Sequence, residues 1–250
     1  MKEKLRELIK ELAAIDGISG QEQKVVRAVL EHVRPLADEV SVDVFGNIIA
    51  VRQGGLPGPG VLIAAHTDEI GAIVKSVEKN GWIRFEKIGG TGDALLLGRQ
   101  VSVNGHFGIV GAKSGHFMTA KERTEVKPHS ELYIDVGCNS DGEVAALGIA
   151  PGDQICHWPY YNEFSDKDLL CSKALDDRVG CAILIQLLIV YVTFLPFLFI
   201  LGGYAELPTK LLKFAAENMV LMNTIIFIAA AVILALSYFI SVRVYSKRDF

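Results

Sequence analysis

Leu5, Leu8, Ile9 and Leu12 recur at three- and four-residue spacing with Lys and Glu between them, which predicts an amphipathic helix. Gly17 and Gly20 interrupt the pattern. Ser19 followed by Glu22 has the form of a capping box for a second helix. That helix carries Val25, Val26, Val29, Leu30 and Val33, and Pro35 ends it. The period then changes to two. Residues 40–44 alternate as a strand, Phe45-Gly46-Asn47 turns the chain, and residues 47–51 return as the hairpin partner. The stretch 54–60 (Gly-Gly-Leu-Pro-Gly-Pro-Gly) reads as a surface turn, because it lacks the Lys-Ser/Thr ending of a phosphate-binding loop. Next comes Val61-Leu62-Ile63-Ala64-Ala65, a continuous apolar run of the kind that forms a buried strand. Helix, helix, hairpin and buried strand together predict an α/β domain.

Between residues 72 and 168 the texture differs. Short β-type runs at 73–77, 82–85, 101–103, 108–110 and 132–136 alternate with glycine turns, and one short helix is expected at 142–147. Strand signals at that spacing predict a small barrel or sandwich, inserted into the first domain. Residues 169–180 return to strand-then-loop character, and an apolar helix follows.

Composition then sharpens the division. The chain has 250 residues and a formal net charge of −4, which argues against a nucleic-acid partner. Its mean hydropathy, +0.33, is high, and the excess lies almost wholly after Gly180. Residues 179–205 and 218–242 contain no charged side chain. About 20 apolar helical residues cross a bilayer, so two membrane spans are predicted, at about 187–205 and 218–242. Arg243, Lys247 and Arg248 favour a cytoplasmic tail. Two spans would return the N-terminal domain to the cytoplasm and place 206–217 outside. The charged residues 2–7 do not resemble a signal peptide, and Cys138, Cys156, Cys171 and Cys181 form no CxxC pair.

Candidate chemistry sits at two places. In extended backbone, residues i and i+2 share a face, so His66 and Asp68 can point the same way where the apolar run ends. Imidazole is a common metal ligand and usually passes its other N–H to a carboxylate or carbonyl. A histidine near a strand end is also commonly a plain surface or core residue. The second place is Asp176-Asp177. Adjacent aspartates after an apolar approach suit a bound cation, or pairing with Arg178, and equally suit a helix N-terminus.

The two stretches Ala65-His66-Thr67-Asp68-Glu69-Ile70-Gly71 and Lys173-Ala174-Leu175-Asp176-Asp177-Arg178-Val179-Gly180 resemble the metal motifs of the glutamyl (TET-type, deblocking) aminopeptidases, which are co-catalytic metallopeptidases. Supporting matches are Gly17-Ile18-Ser19-Gly20-Gln21-Glu22, Asp43-Val44-Phe45-Gly46-Asn47 and Leu132-Tyr133-Ile134-Asp135-Val136-Gly137. The resemblance covers about residues 1–188. It implies that His66 binds one metal, that Asp176 bridges two, and that Asp68 orients His66. Asp177 matches the motif's second aspartate and is assigned no direct role. The implied cofactors are divalent metals, Zn or Co, two per site. The implied partners are peptides with a free N-terminus and other copies of the chain, assembled through the inserted domain.

One departure from the family pattern is large. The family also uses a Glu-Glu pair, a further Asp and a late His. After Gly180 this sequence has no histidine, and its only acidic side chains are Glu206, Glu217 and Asp249. The last 60 or so residues instead resemble, more weakly, the tail of ABC-2-type transporter permeases. The expected architecture is thus an incomplete α/β metallopeptidase-like domain (1–71 and 169–188), an inserted small β-barrel domain (72–168) and a two-span membrane segment (189–250). The expected function is that of an aminopeptidase-family member without activity as written. The alternative is a membrane- or transporter-associated chimera, in contact with lipid, whose peptidase part is vestigial.

Overall fold

The computed structural model describes residues 2–54, 59–120 and 124–201. Two helices open the chain as the periodicity predicts. α1 (Lys2–Ala14) buries Leu8, Ile9, Leu12 and Ala13, and α2 (Gln23–Val33) buries Val25, Val29 and Val33. The start of α2 differs from the expected capping box. Glu22 is its N-cap and makes no side-chain cap bond, whereas Ser19 lies outside the helix and donates to Asp68. A hairpin follows, with β1 (Glu39–Val42) antiparallel to β2 (Ile48–Val51) and Glu39 opposite Val51. Asp43 organises its turn, accepting from the backbone N–H groups of Phe45 and Asn47 at 2.9 Å each.

The apolar run at 61–65 departs from expectation. It is extended but belongs to no sheet, and Leu62 is 92% exposed. A continuous apolar strand needs neighbours on both edges and cover on both faces. Among the described residues none is hydrogen-bonded to it. Only beyond it, at Glu69, does a single parallel bridge form, to Ile18.

The central β region is a closed six-stranded barrel. Its strands are β3 (Gly71–Val77), β4 (Ile83–Ile88), β5 (Gln100–Val103), β6 (His106–Gly111), β7 (Tyr133–Asp135) and β8 (Gln154–His157), in the spatial order β3-β4-β7-β6-β5-β8. Closure removes the exposed strand edges that a small open sheet would carry. The interior is apolar and includes Val74, Ile83, Phe85, Val103, Ile134 and Ile155. A short helix, α3 (Asp141–Ala146), adds Val144 to this core. Its N-cap Ser140 accepts from the Glu143 N–H. The sixth strand, β8, was not among the predicted runs.

β9 (Tyr161–Glu163) and β10 (Leu170–Ser172) pair antiparallel and lead back to α4 (Leu175–Leu201). Cys181, Ala182 and Ile185 of α4 join the buried cluster of α1 and α2, and Leu188 and Ile189 pack against it. Part of the apolar run after Gly180 is therefore the core face of a helix in the α/β domain. Among the described residues no helix is long and apolar enough to cross a membrane. The predicted first span, 187–205, is described only as far as residue 201, where it is the end of α4. The second, 218–242, and the permease-like tail lie outside the described residues.

Candidate metal centre

The end of the extended segment and the kinked, non-helical start of α4 at Asp176 and Asp177 meet. His66 Nδ1 lies 2.9 Å from Asp68 Oδ1, and His66 Nε2 lies 3.0 Å from Asp176 Oδ1. Ser19 donates to the other Asp68 oxygen. The side chains of His66 and Asp176 are open to solvent, 55% and 95% exposed. Partial burial pulls the His66 pKa down, but the Asp176 hydrogen bond and the charge and bond of Asp68 outweigh it, leaving the imidazole raised. The Ser19 hydrogen bond leads the causes that hold the Asp68 carboxyl below its ordinary value.

Neutral imidazole carries one N–H. With Asp68 taking the Nδ1–H, the Nε2 lone pair and the Asp176 carboxylate face each other as two acceptors, and either a second ring proton or a metal cation between them satisfies both. Ligand bonds from zinc to His nitrogen and carboxylate oxygen are about 2.0–2.2 Å, so donors 3.0 Å apart can share one ion. The donor set therefore fits a divalent metal, with His66 and Asp176 as ligands and Asp68 behind the histidine. It supplies two ligands, whereas a catalytic zinc usually takes three from protein.

The pair opens into a cleft of about 400 Å³ whose other walls include Arg99, His157 and Tyr160. Burial, then the positive charges of Arg99 and Lys173, push the His157 imidazole below its ordinary pKa.

The adjacent aspartates divide the two roles considered for them. Asp176 faces His66, while Asp177 accepts from the Gly180 N–H at 2.9 Å and so serves the α4 N-terminus. The peptide between them is cis. Arg178 pairs with neither in the way the sequence suggested. Fully buried, it donates to the Leu12 carbonyl at 2.7 Å and the Ile15 carbonyl at 3.3 Å, and lies 4.0 Å from Glu69.

Beneath the cleft lies a buried charged group that local spacing did not reveal. Lys173 Nζ is 2.7 Å from both Asp16 Oδ1 and Glu69 Oε1, and Ser102 Oγ donates to Asp16 Oδ2 at 2.6 Å. Asp16, Glu69 and Cys156 also place one potential metal-ligand atom each within 4.8 Å of one another. The Lys173 ammonium already bridges both carboxylates there, with Arg178 4.0 Å from Glu69 as the second positive charge. Burial, aided by Glu69 and Asp16, pushes the Cys156 thiol far up, away from the thiolate that would bind an ion.

A peptidase-like domain with a closed barrel between the His66 and Asp176 motifs defines a metallopeptidase-type chain. The family model of the M42 glutamyl aminopeptidases matches residues 46–192, and the chain belongs to that family. It is 30% identical over 179 residues to the lysyl aminopeptidase of Pyrococcus furiosus, covering 69% of this chain and 51% of that protein. Among solved structures, it resembles the aminopeptidase APDkam598 of Desulfurococcus kamchatkensis at 34% identity and TM-score 0.68, covering 75% of this chain and 52% of that one. A TET aminopeptidase from a marine sediment archaeon of the Thaumarchaeota matches at 34% identity and TM-score 0.70, with 75% and 53% covered. The chain spans about half the length of the curated relatives it matches, 50–53% for the first four.

Proposed function

We propose that this chain carries the first half of a two-metal aminopeptidase site, acting on peptides with a free N-terminus. The observation that carries the reading is the 3.0 Å approach of His66 Nε2 to Asp176 Oδ1 with Asp68 on the other ring nitrogen. Two divalent ions bridged by a carboxylate, Zn or Co in this reading, polarise a peptide carbonyl and ionise a water near neutral pH. His66 supplies a neutral nitrogen donor, Asp68 fixes its tautomer, and Asp176 offers the bridging oxygens. The cleft beside them admits the substrate's N-terminal residue.

The same reading makes the chain inactive as written. Two ligands do not hold a co-catalytic pair, and among the described residues no general base is assigned beside them. Purified protein is titrated with Co²⁺ or Zn²⁺ and assayed on aminoacyl-anilides. Metal binding that depends on His66, without turnover, is the expected result. No His66-dependent binding overturns the half-site, and turnover that requires His66 overturns the inactivity.

The Pyrococcus horikoshii TET1 peptidase assembles into a tetrahedron or a large octahedral shell. A homo-oligomer formed through the barrel is the corresponding proposal for this chain. A membrane location rests on the uncharged runs at 187–205 and 218–242, and a cytoplasmic N-terminal domain on Arg243, Lys247 and Arg248 of the tail. Fractionation of the full chain tests it.

A further inference from the structure

We propose that Lys173 is a positioning residue that locks the His66–Asp68 segment to the start of α4 at Asp176 and keeps divalent ions out of the pocket beneath them. The second part, and only that part, rests on the metal-site reading above.

Two carboxylates from distant segments meet this one ammonium, Asp16, which follows α1, and Glu69, which follows Asp68. Ser102 of β5 in the barrel donates to the other oxygen of Asp16, and Lys173 itself stands three residues before Asp176. Successive side chains alternate in extended backbone. Asp68 thus reaches the cleft while Glu69 turns inward, and the two ends of the same dipeptide serve the surface site and the buried group. The backbone registers the same junction, since the Glu69 N–H donates to the Gly17 carbonyl at 3.0 Å and Gly17 N–H points back to Glu69 Oε1 at 3.3 Å.

The charges explain why Lys173, and no neutral residue, belongs here. Asp16 and Glu69 are balanced by Lys173 and Arg178, and three of the four are fully enclosed. Removing one partner of such a group leaves an uncompensated charge in low dielectric. Arg178 donates to neither carboxylate. Its Nη1 donates to the Leu12 and Ile15 carbonyls, and its Nη2 stands 4.0 Å from Glu69. Among the described residues only Lys173 donates to both carboxylates, and those are two of the three donors that with Cys156 could hold an ion. A resident ammonium at 2.7 Å from each fills the place a divalent ion would occupy.

The test compares the full-length wild type with Lys173→Met and Lys173→Arg. In metal-free protein, amide exchange is read at Glu69 and Arg178, whose N–H groups donate to Gly17 and Ala174 carbonyls. In Lys173→Met both amides should exchange faster together, by about tenfold or more, while amides of β4 and β7 stay protected. Lys173→Arg, which keeps the charge, should stay near wild type. Unchanged exchange at these two amides in Lys173→Met, or acceleration shared equally by the barrel, overturns the lock. Co²⁺ titration reads the second part. Lys173→Met should bind at the His66 site about tenfold more weakly and gain a cobalt–thiolate absorption band that Cys156→Ala abolishes. Wild-type affinity with no thiolate band overturns it. If Lys173→Met does not fold, Ser102→Ala removes only a hydrogen bond to Asp16. It should loosen the same two amides to a smaller degree, and no change there is the overturning result. Cobalt binding by the wild type that ignores His66 defeats the metal-site reading, and the exchange result still decides the lock.

Discussion

His66 and Asp176 stand 110 residues apart in sequence, yet the imidazole Nε2 of one lies 3.0 Å from the carboxylate Oδ1 of the other. The whole barrel is threaded between them. The closed sheet and the buried charges under the cleft are what return the chain to its starting point.

If that pair holds a metal, its three side chains should be separable by titration. His66→Ala and Asp176→Ala each remove a donor and should abolish binding of Co²⁺ or Zn²⁺ at this site. Asp68→Asn leaves the ligand in place but alters what its second nitrogen meets, and should weaken binding by about 10- to 100-fold. Calorimetric titration of the three variants, with circular dichroism as a fold control, checks the ranking.

The entry to the barrel is as tight as the site is open. A Cβ on Gly71 would lie 2.4 Å from the Ile155 carbonyl oxygen and 2.6 Å from the Ile18 side chain. The Ile155 carbonyl belongs to the paired strand β8 and cannot step aside. Gly71→Ala should therefore destabilise the protein by about 1–3 kcal/mol, the range for overpacking. Gly90→Ala, where a Cβ meets nothing within 4 Å, should be close to neutral. Denaturant midpoints of the two variants decide this.

The barrel was legible where its strands alternate. Ile83 and Phe85 point inward from β4 with Arg84 between them, and such a pattern is local. β8 escaped notice because Gln154, Cys156 and His157 are polar or small, and Cys156 lies beside Asp16 and Glu69, which distant segments bring to it. Glu69 and Lys173 are 104 residues apart, so no spacing rule could pair them. The run at 61–65 misled for the opposite reason. Its composition is that of a central strand, but hydrogen-bonded neighbours, which composition cannot supply, make a strand. The apolar run after Gly180 mixed two signals, since Ile185, Leu188 and Ile189 are apolar because α1 and α2 cover them.

Ile134 tests the barrel as a core in its own right. It sits on β7, is 1% exposed, and its strand bridges β4 and β6. Ile134→Ala would leave a cavity in a closed sheet that has no free edge along which to collapse. A loss of about 2–5 kcal/mol is expected. The equivalent change at exposed Ile109 on β6 should cost much less. Urea unfolding, followed by the fluorescence of Trp82, which stacks on Tyr133 at 3.9 Å, reports on this region directly.

The β1–β2 turn should respond to acid through Asp43. Its carboxyl is held below the ordinary 3.8, first by the Asn47 side-chain hydrogen bond and then by backbone N–H groups of the turn. An acid whose folded pKa is depressed adds stability above its unfolded pKa and loses that contribution as pH falls through the folded value. The turn should therefore be equally ordered from about pH 5 to 7 and loosen only below about pH 4. Amide shifts of Phe45 and Asn47, whose N–H groups donate to this carboxylate, should titrate with a midpoint under 3.8. In Asp43→Asn the same two amides should show no such step. A midpoint at or above the ordinary value would mean that the carboxylate does not hold the turn.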